Sequence, residues 1–61
     1  MDFLTAAEQW ISDNYPEVTG EFAQMYQESR QRHGVNISVV CAMSQLGVYD
    51  EFLPFWSNIS K

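Results

Sequence analysis

Basic side chains are scarce in this chain: Arg30, Arg32 and Lys61 are its only cations, set against eight acidic residues for a formal net charge of −5. Binding to nucleic acid through phosphates needs clustered Lys and Arg, so that class of partner is disfavoured. An acidic surface repels polyanions and anionic lipid and favours basic partners. Cysteine is limited to Cys41, which excludes an intramolecular disulfide. His33 is the only histidine and has no carboxylate cluster about it, so neither a metal nor a cofactor is expected. There is no Gly-rich phosphate loop, no paired-carboxylate motif and no nucleophile–base–orienter spacing, and an enzyme is not expected. No hydrophobic run approaches membrane-spanning length. The opening residues Met-Asp-Phe-Leu-Thr carry neither a basic region nor an apolar run, which points to the cytoplasm.

What the chain has in quantity is aromatic surface: Phe3, Trp10, Tyr15, Phe22, Tyr26, Tyr49, Phe52, Phe55 and Trp56. A chain of this size buries only about 60% of its unfolded surface. Without disulfides or metal, such a domain relies on tight packing or on association. The expected form is therefore a homodimer or a partner-bound chain.

Asn36 to Val48 lies within the longest stretch without a charge, Gly34 to Tyr49. Wound as a helix it is apolar nearly all round, which predicts a central buried element. The first helix is predicted over residues 3–14, capped by Asp2, with Phe3, Ala6, Ala7 and Trp10 on one face and Pro16 ending it. A second helix is expected from Pro16 or Glu17 to His33, or else from Thr19 after a turn. Its stripe is Val18, Phe22, Met25, Tyr26 and Ser29, and Gly34 stands where a left-handed cap is wanted. Val35 to Cys41 alternates like a strand, but no other segment offers a partner. The third element is accordingly read as a helix from Ile37 to Leu46, with Asn36 as N-cap and Gly47 as its stop. A short fourth helix is predicted between Tyr49 and Ile59, capped by Asp50 so that Pro54 falls in its first turn. The fold class is all-α: a single helical domain over residues 1–61, three main helices plus a short C-terminal helix, expected as a homodimer.

The run Met43-Ser-Gln-Leu-Gly-Val-Tyr49-Asp-Glu-Phe-Leu resembles the helix-turn-helix of phage repressors and related proteins, where a Leu-Gly-Val tripeptide makes the turn. That resemblance implies a following helix that enters the major groove. Here the following helix opens with Asp50 and Glu51, contains Pro54 and offers no Arg or Lys to read bases. The alternative function is thus a helix-turn-helix-like, transcription-associated protein, DNA-binding or degenerate.

Three candidate features remain. Phe52, Phe55 and Trp56, with Leu53 beside them, form an aromatic cluster that either contacts a partner or closes the core. Glu17, Glu21 and Glu28 are expected along one face of the second helix, as an acidic docking stripe, a partial phosphate mimic or simply a solvated face. Cys41, between Val40 and Ala42, is expected to be an inert core thiol, and His33 to cap the second helix. The function expected is a small acidic protein-binding regulator or inhibitor that occupies a partner's surface, in the style of bacteriophage accessory proteins acting on host machinery.

Overall fold

The computed structural model describes residues 1–60, and within them all regular structure is helical. Four α-helices follow in order: α1 Phe3–Asn14, α2 Thr19–Arg30, α3 Val35–Gln45 and α4 Tyr49–Ile59. A single 3₁₀ turn, Pro16–Val18, leads into α2.

α1 forms where its periodicity places it. The Asp2 carboxylate accepts from the Thr5 amide at 2.8 Å, satisfying one of the donors a helix leaves free at its start. Hydrogen bonding from the Thr5 side chain, and after it from the Thr5 amide, holds the Asp2 pKa below its ordinary value. Ala6, Ala7, Trp10 and Ile11 are buried, and Asn14 turns its amide back onto the Trp10 carbonyl at 2.9 Å.

The second helix takes the alternative start, Thr19 after a turn, and ends at Arg30, short of His33. Its opening turn is 3₁₀, with the Thr19 hydroxyl donating to the Pro16 carbonyl at 2.9 Å, so the α-helix begins at Thr19. At its far end the amides of Arg32 and His33 both reach the Ser29 carbonyl, at 3.0 and 2.9 Å. The Arg30 guanidinium donates to the His33 carbonyl at 3.0 Å. The chain is thereby turned out of the helix before Gly34, and no left-handed cap is needed. Gly34 has φ −74° and is instead the N-cap of α3, a role predicted for Asn36.

The corner between α3 and α4 does use a left-handed glycine. Gly47 has φ 75°, its amide bonds to the Ser44 carbonyl at 3.1 Å, and the Val48 amide reaches back to Met43 at 3.0 Å. These two bonds are the Schellman pattern, and the buried side chains of Met43 and Val48 bracket it. α4 then starts at Tyr49 with Val48, not Asp50, as its N-cap. Pro54 lies inside the helix, beyond the first turn that was expected to hold it. The missing N–H removes the bond to the Asp50 carbonyl, and packing of the apolar face carries the helix through that loss.

The core joins all four helices: Ala6, Ala7, Trp10 and Ile11 from α1, Phe22 from α2, Val39, Ala42 and Met43 from α3, and Phe52 from α4, with Val48 of the corner. The Cα radius of gyration is 10.6 Å, and a compact chain of this length is expected near ~10.5 Å. A single copy therefore closes a core by itself. α2 and α3 share the broadest helix–helix contact. The two buried polar side chains, Ser29 and Ser38, lie on these helices, and small residues of this kind let backbones approach closely. Ser38 Oγ is fully buried without a protein partner, a desolvation cost of roughly 1–3 kcal/mol.

α3 corrects the expectation of all-round burial. Ser38, Val39, Ala42 and Met43 are buried, but Val35 and Ile37 are 39% and 55% exposed. Val40 and Cys41 are half-buried. The other helices pack against the side that carries Val39, Ala42 and Met43, and the opposite side of α3 is left uncovered.

Candidate functional site

Phe52 is the hub of an aromatic cluster. Its ring centroid lies 5.6 Å from Phe3, 5.7 Å from Trp10 and 6.0 Å from Phe55, in tilted and edge-on arrangements. Such pairs add about 0.5–1.5 kcal/mol each beyond the area they bury. With 0% exposure, Phe52 has no surface to offer a partner. Its expected role as an anchor is therefore corrected: it closes the core.

Phe55 and Trp56 differ from Phe52. Both pack against the core yet remain half-buried. Trp56 meets Phe3 edge-on at 5.1 Å, so its ring is held in one orientation by the start of α1. Helical spacing sets Ile59 beside them, and Leu53 lies on the shoulder, with 42% and 38% of their surfaces exposed. Met1, two residues before Phe3, is also open. The result is an apolar patch built on the C-terminal half of α4 and the first residues of the chain. Ile59 shares the helical face of Phe55 and Trp56, as the sequence period predicts, and completes the patch.

Two of the three carboxylates expected in one acidic stripe share a face of α2. Glu17 sits in the 3₁₀ turn, outside the register of α2, whereas Glu21 and Glu28 lie two turns apart on α2; all three are exposed. Glu51 has a structural tie instead: its carboxylate accepts from the Tyr15 hydroxyl at 2.7 Å, joining the turn after α1 to the first turn of α4. That bond raises the Tyr15 pKa above its ordinary value.

Two hollows accompany these surfaces. One, of about 270 Å³, lies between α1 and α2 on a floor of Ile11, Phe22, Ala23 and Tyr26, with Glu8 at its lip. The other, of about 200 Å³, is lined by Ser44, Gly47, Tyr49 and Asp50 at the end of α3. Neither contains a histidine or a cysteine. Among the described residues, no group of three or more His, Cys, Asp or Glu side chains could hold a metal ion. His33 is exposed and its amide caps α2, while Cys41 is half-buried rather than sealed in the core as expected.

The sequence reading missed the outward strip of α3, Ile37, Val40 and Cys41, because a charge-free block was taken to be enclosed. The i, i+3, i+4 spacing of these residues was the available signal. Among the described residues, no helix is long and apolar enough to cross a membrane. No family model, no curated protein and no solved structure matches this chain.

Proposed function

We propose that this chain is a small acidic regulator or inhibitor that works in the cytoplasm as a homodimer and occupies a surface of another protein, in the manner of a phage accessory factor. One observation carries the reading: Leu53 and Ile59 stand open beside the half-buried rings of Phe55 and Trp56 on a rigidly packed helix. Aromatic anchors fixed by neighbours lose little entropy on binding and are the usual source of affinity at interfaces. The net charge of −5 supplies the long-range attraction to a basic partner. Glu17, Glu21 and Glu28 contribute to that field as dispersed exposed carboxylates. No catalytic role is assigned to any residue.

The test uses the two open aliphatic residues, because Trp56 also supports Phe3 and its removal would disturb folding. A Leu53→Glu, Ile59→Glu chain should keep its helical circular dichroism and lose the protein that the tagged wild type retrieves from a lysate of the source cell. Retrieval of the same protein by both would overturn the reading.

A second reading is favoured by the Gly47 corner, which joins two helices as a helix-turn-helix does. Its recognition helix would present Asp50 and Glu51 to phosphates, an arrangement that opposes binding. A mobility-shift assay at low salt should show no retardation of duplex DNA; a salt-sensitive shift would restore this reading.

A further inference from the structure

α3 is the one helix among those described that carries no charge. α1 has Glu8 and Asp13, α2 has Glu21, Glu28 and Arg30, and α4 has Asp50 and Glu51, but Val35–Gln45 has none. Its outward side is apolar and open: Ile37 is 55% exposed, Val40 and Cys41 are half-buried, and Ser44 is exposed. Positions 37, 40, 41 and 44 follow the i, i+3, i+4, i+7 spacing of one helix face. On a chain of net charge −5, this is a face on which a second copy can approach without setting carboxylate against carboxylate.

Charge at the two ends of α3 fixes the direction of approach. Arg30 and Arg32 precede its N-terminus, whereas exposed Asp50 follows its C-terminus and shares the 200 Å³ hollow with Ser44, Gly47 and Tyr49. A parallel pair would oppose like ends. An antiparallel pair brings the basic end of each copy to the acidic end of the other and also opposes the two helix dipoles. A two-fold axis between Val40 and Cys41 sets Ile37 of one copy opposite Ser44 of the other, at the edge of the hollow. The same arrangement brings the segment before α3, which carries Arg32, toward the segment after α3 of the other copy, which carries Asp50. The most exposed apolar side chain of the face then meets a recess, and the cation approaches the carboxylate, twice by symmetry.

We infer that two copies of this chain pair antiparallel through α3, with Ile37 of each seated in the Ser44–Gly47–Tyr49–Asp50 hollow of the other and Arg32 against Asp50. The inference deepens the self-association in the function proposed above and is independent of the α4 patch. An 11-residue helix is about 16 Å long, so the interface is small and the dimer is weak and concentration-dependent.

Sedimentation equilibrium over a concentration series tests it. The wild type should pass from 7.1 kDa to twice that mass as concentration rises. Ile37→Asp should stay at the single-chain mass with unchanged circular dichroism, since its side chain is more exposed than buried. Arg32→Glu should weaken pairing about tenfold at low salt, and adding Asp50→Arg should restore it. A short bis-maleimide should join two copies through Cys41, beside the axis, and fail to do so in Ile37→Asp. A wild type that remains a single chain at millimolar concentration overturns both this pairing and the proposed homodimer. A dimer that survives Ile37→Asp overturns the α3 pairing and leaves self-association to another face. Failure of the charge swap to rescue overturns the antiparallel register. None of these outcomes bears on the α4 patch, which is read by retrieval of a different protein.

Discussion

α3 and α4 are equally long, 11 residues each, and their sequences suggest opposite fates. α3 is uncharged and looks like the helix to be buried, whereas α4 begins with Asp50 and Glu51 and is interrupted by Pro54. Yet the largest fully buried side chain of the molecule is Phe52 of α4, and the most exposed large apolar side chain within a helix is Ile37 of α3. The difference lies in side-chain size and in neighbours. α4 sends one large ring among Phe3, Trp10 and Phe55, and rings reach far enough to close a core. α3 buries small and medium side chains against α1 and α2, and nothing lies beyond it. Hydropathy says what a helix tolerates, while architecture decides what it receives.

The contrast is most directly broken by truncating both residues. Phe52→Ala should destabilise by about 3–5 kcal/mol, enough to unfold much of the population of so small a domain. Ile37→Ala should change stability by no more than about 0.5 kcal/mol. Urea titrations followed by circular dichroism measure both; similar losses at the two sites would show that α3 is covered after all. The corner between the two helices comes next. Nothing lies within 4 Å of a Cβ placed on Gly47, so Gly47→Ala is opposed only by its φ of +75°. The expected loss is about 1–2 kcal/mol. Gly20→Ala, in open space within α2, should instead gain about 1 kcal/mol.

The smallest effect concerns the tie that α4 has and α3 lacks, from the Tyr15 hydroxyl to Glu51. Folding raises the pKa of Tyr15 above its ordinary 10.0. Its contribution is therefore complete below that value and disappears as pH rises through the folded pKa. Tyr15→Phe lacks the contribution throughout, so the difference in urea midpoint between wild type and variant should shrink at strongly alkaline pH. A difference that grew there would reverse the sign assigned to this bond.

The existence of four helices was legible in the sequence, because periodicity and Pro16, Gly34 and Gly47 mark where apolar faces start and stop. Their ends were less so. Whether Gly34 caps the helix before it or the one after depends on where the last carbonyls of α2 find donors, and Arg30, Arg32 and His33 settle that through Ser29 and the His33 carbonyl. Pro54 was assigned to a first turn because an isolated helix would require it; packing against the core overrides that requirement. Of the candidate surface, Phe55 and Trp56 were legible from α4's amphipathic face. Separating them from Phe52 required knowing that Phe3 and Trp10 converge on one ring only.

Pro54 also leaves a gap in the backbone ladder of α4. One rung of its hydrogen-bond ladder is absent between the turn that seats Phe52 and the turns that carry Phe55, Trp56 and Ile59. The turns beyond that rung are held from the side instead, by the ring of Trp56 on Phe3, so a partner gripping Trp56 would load the start of α1 as well as α4.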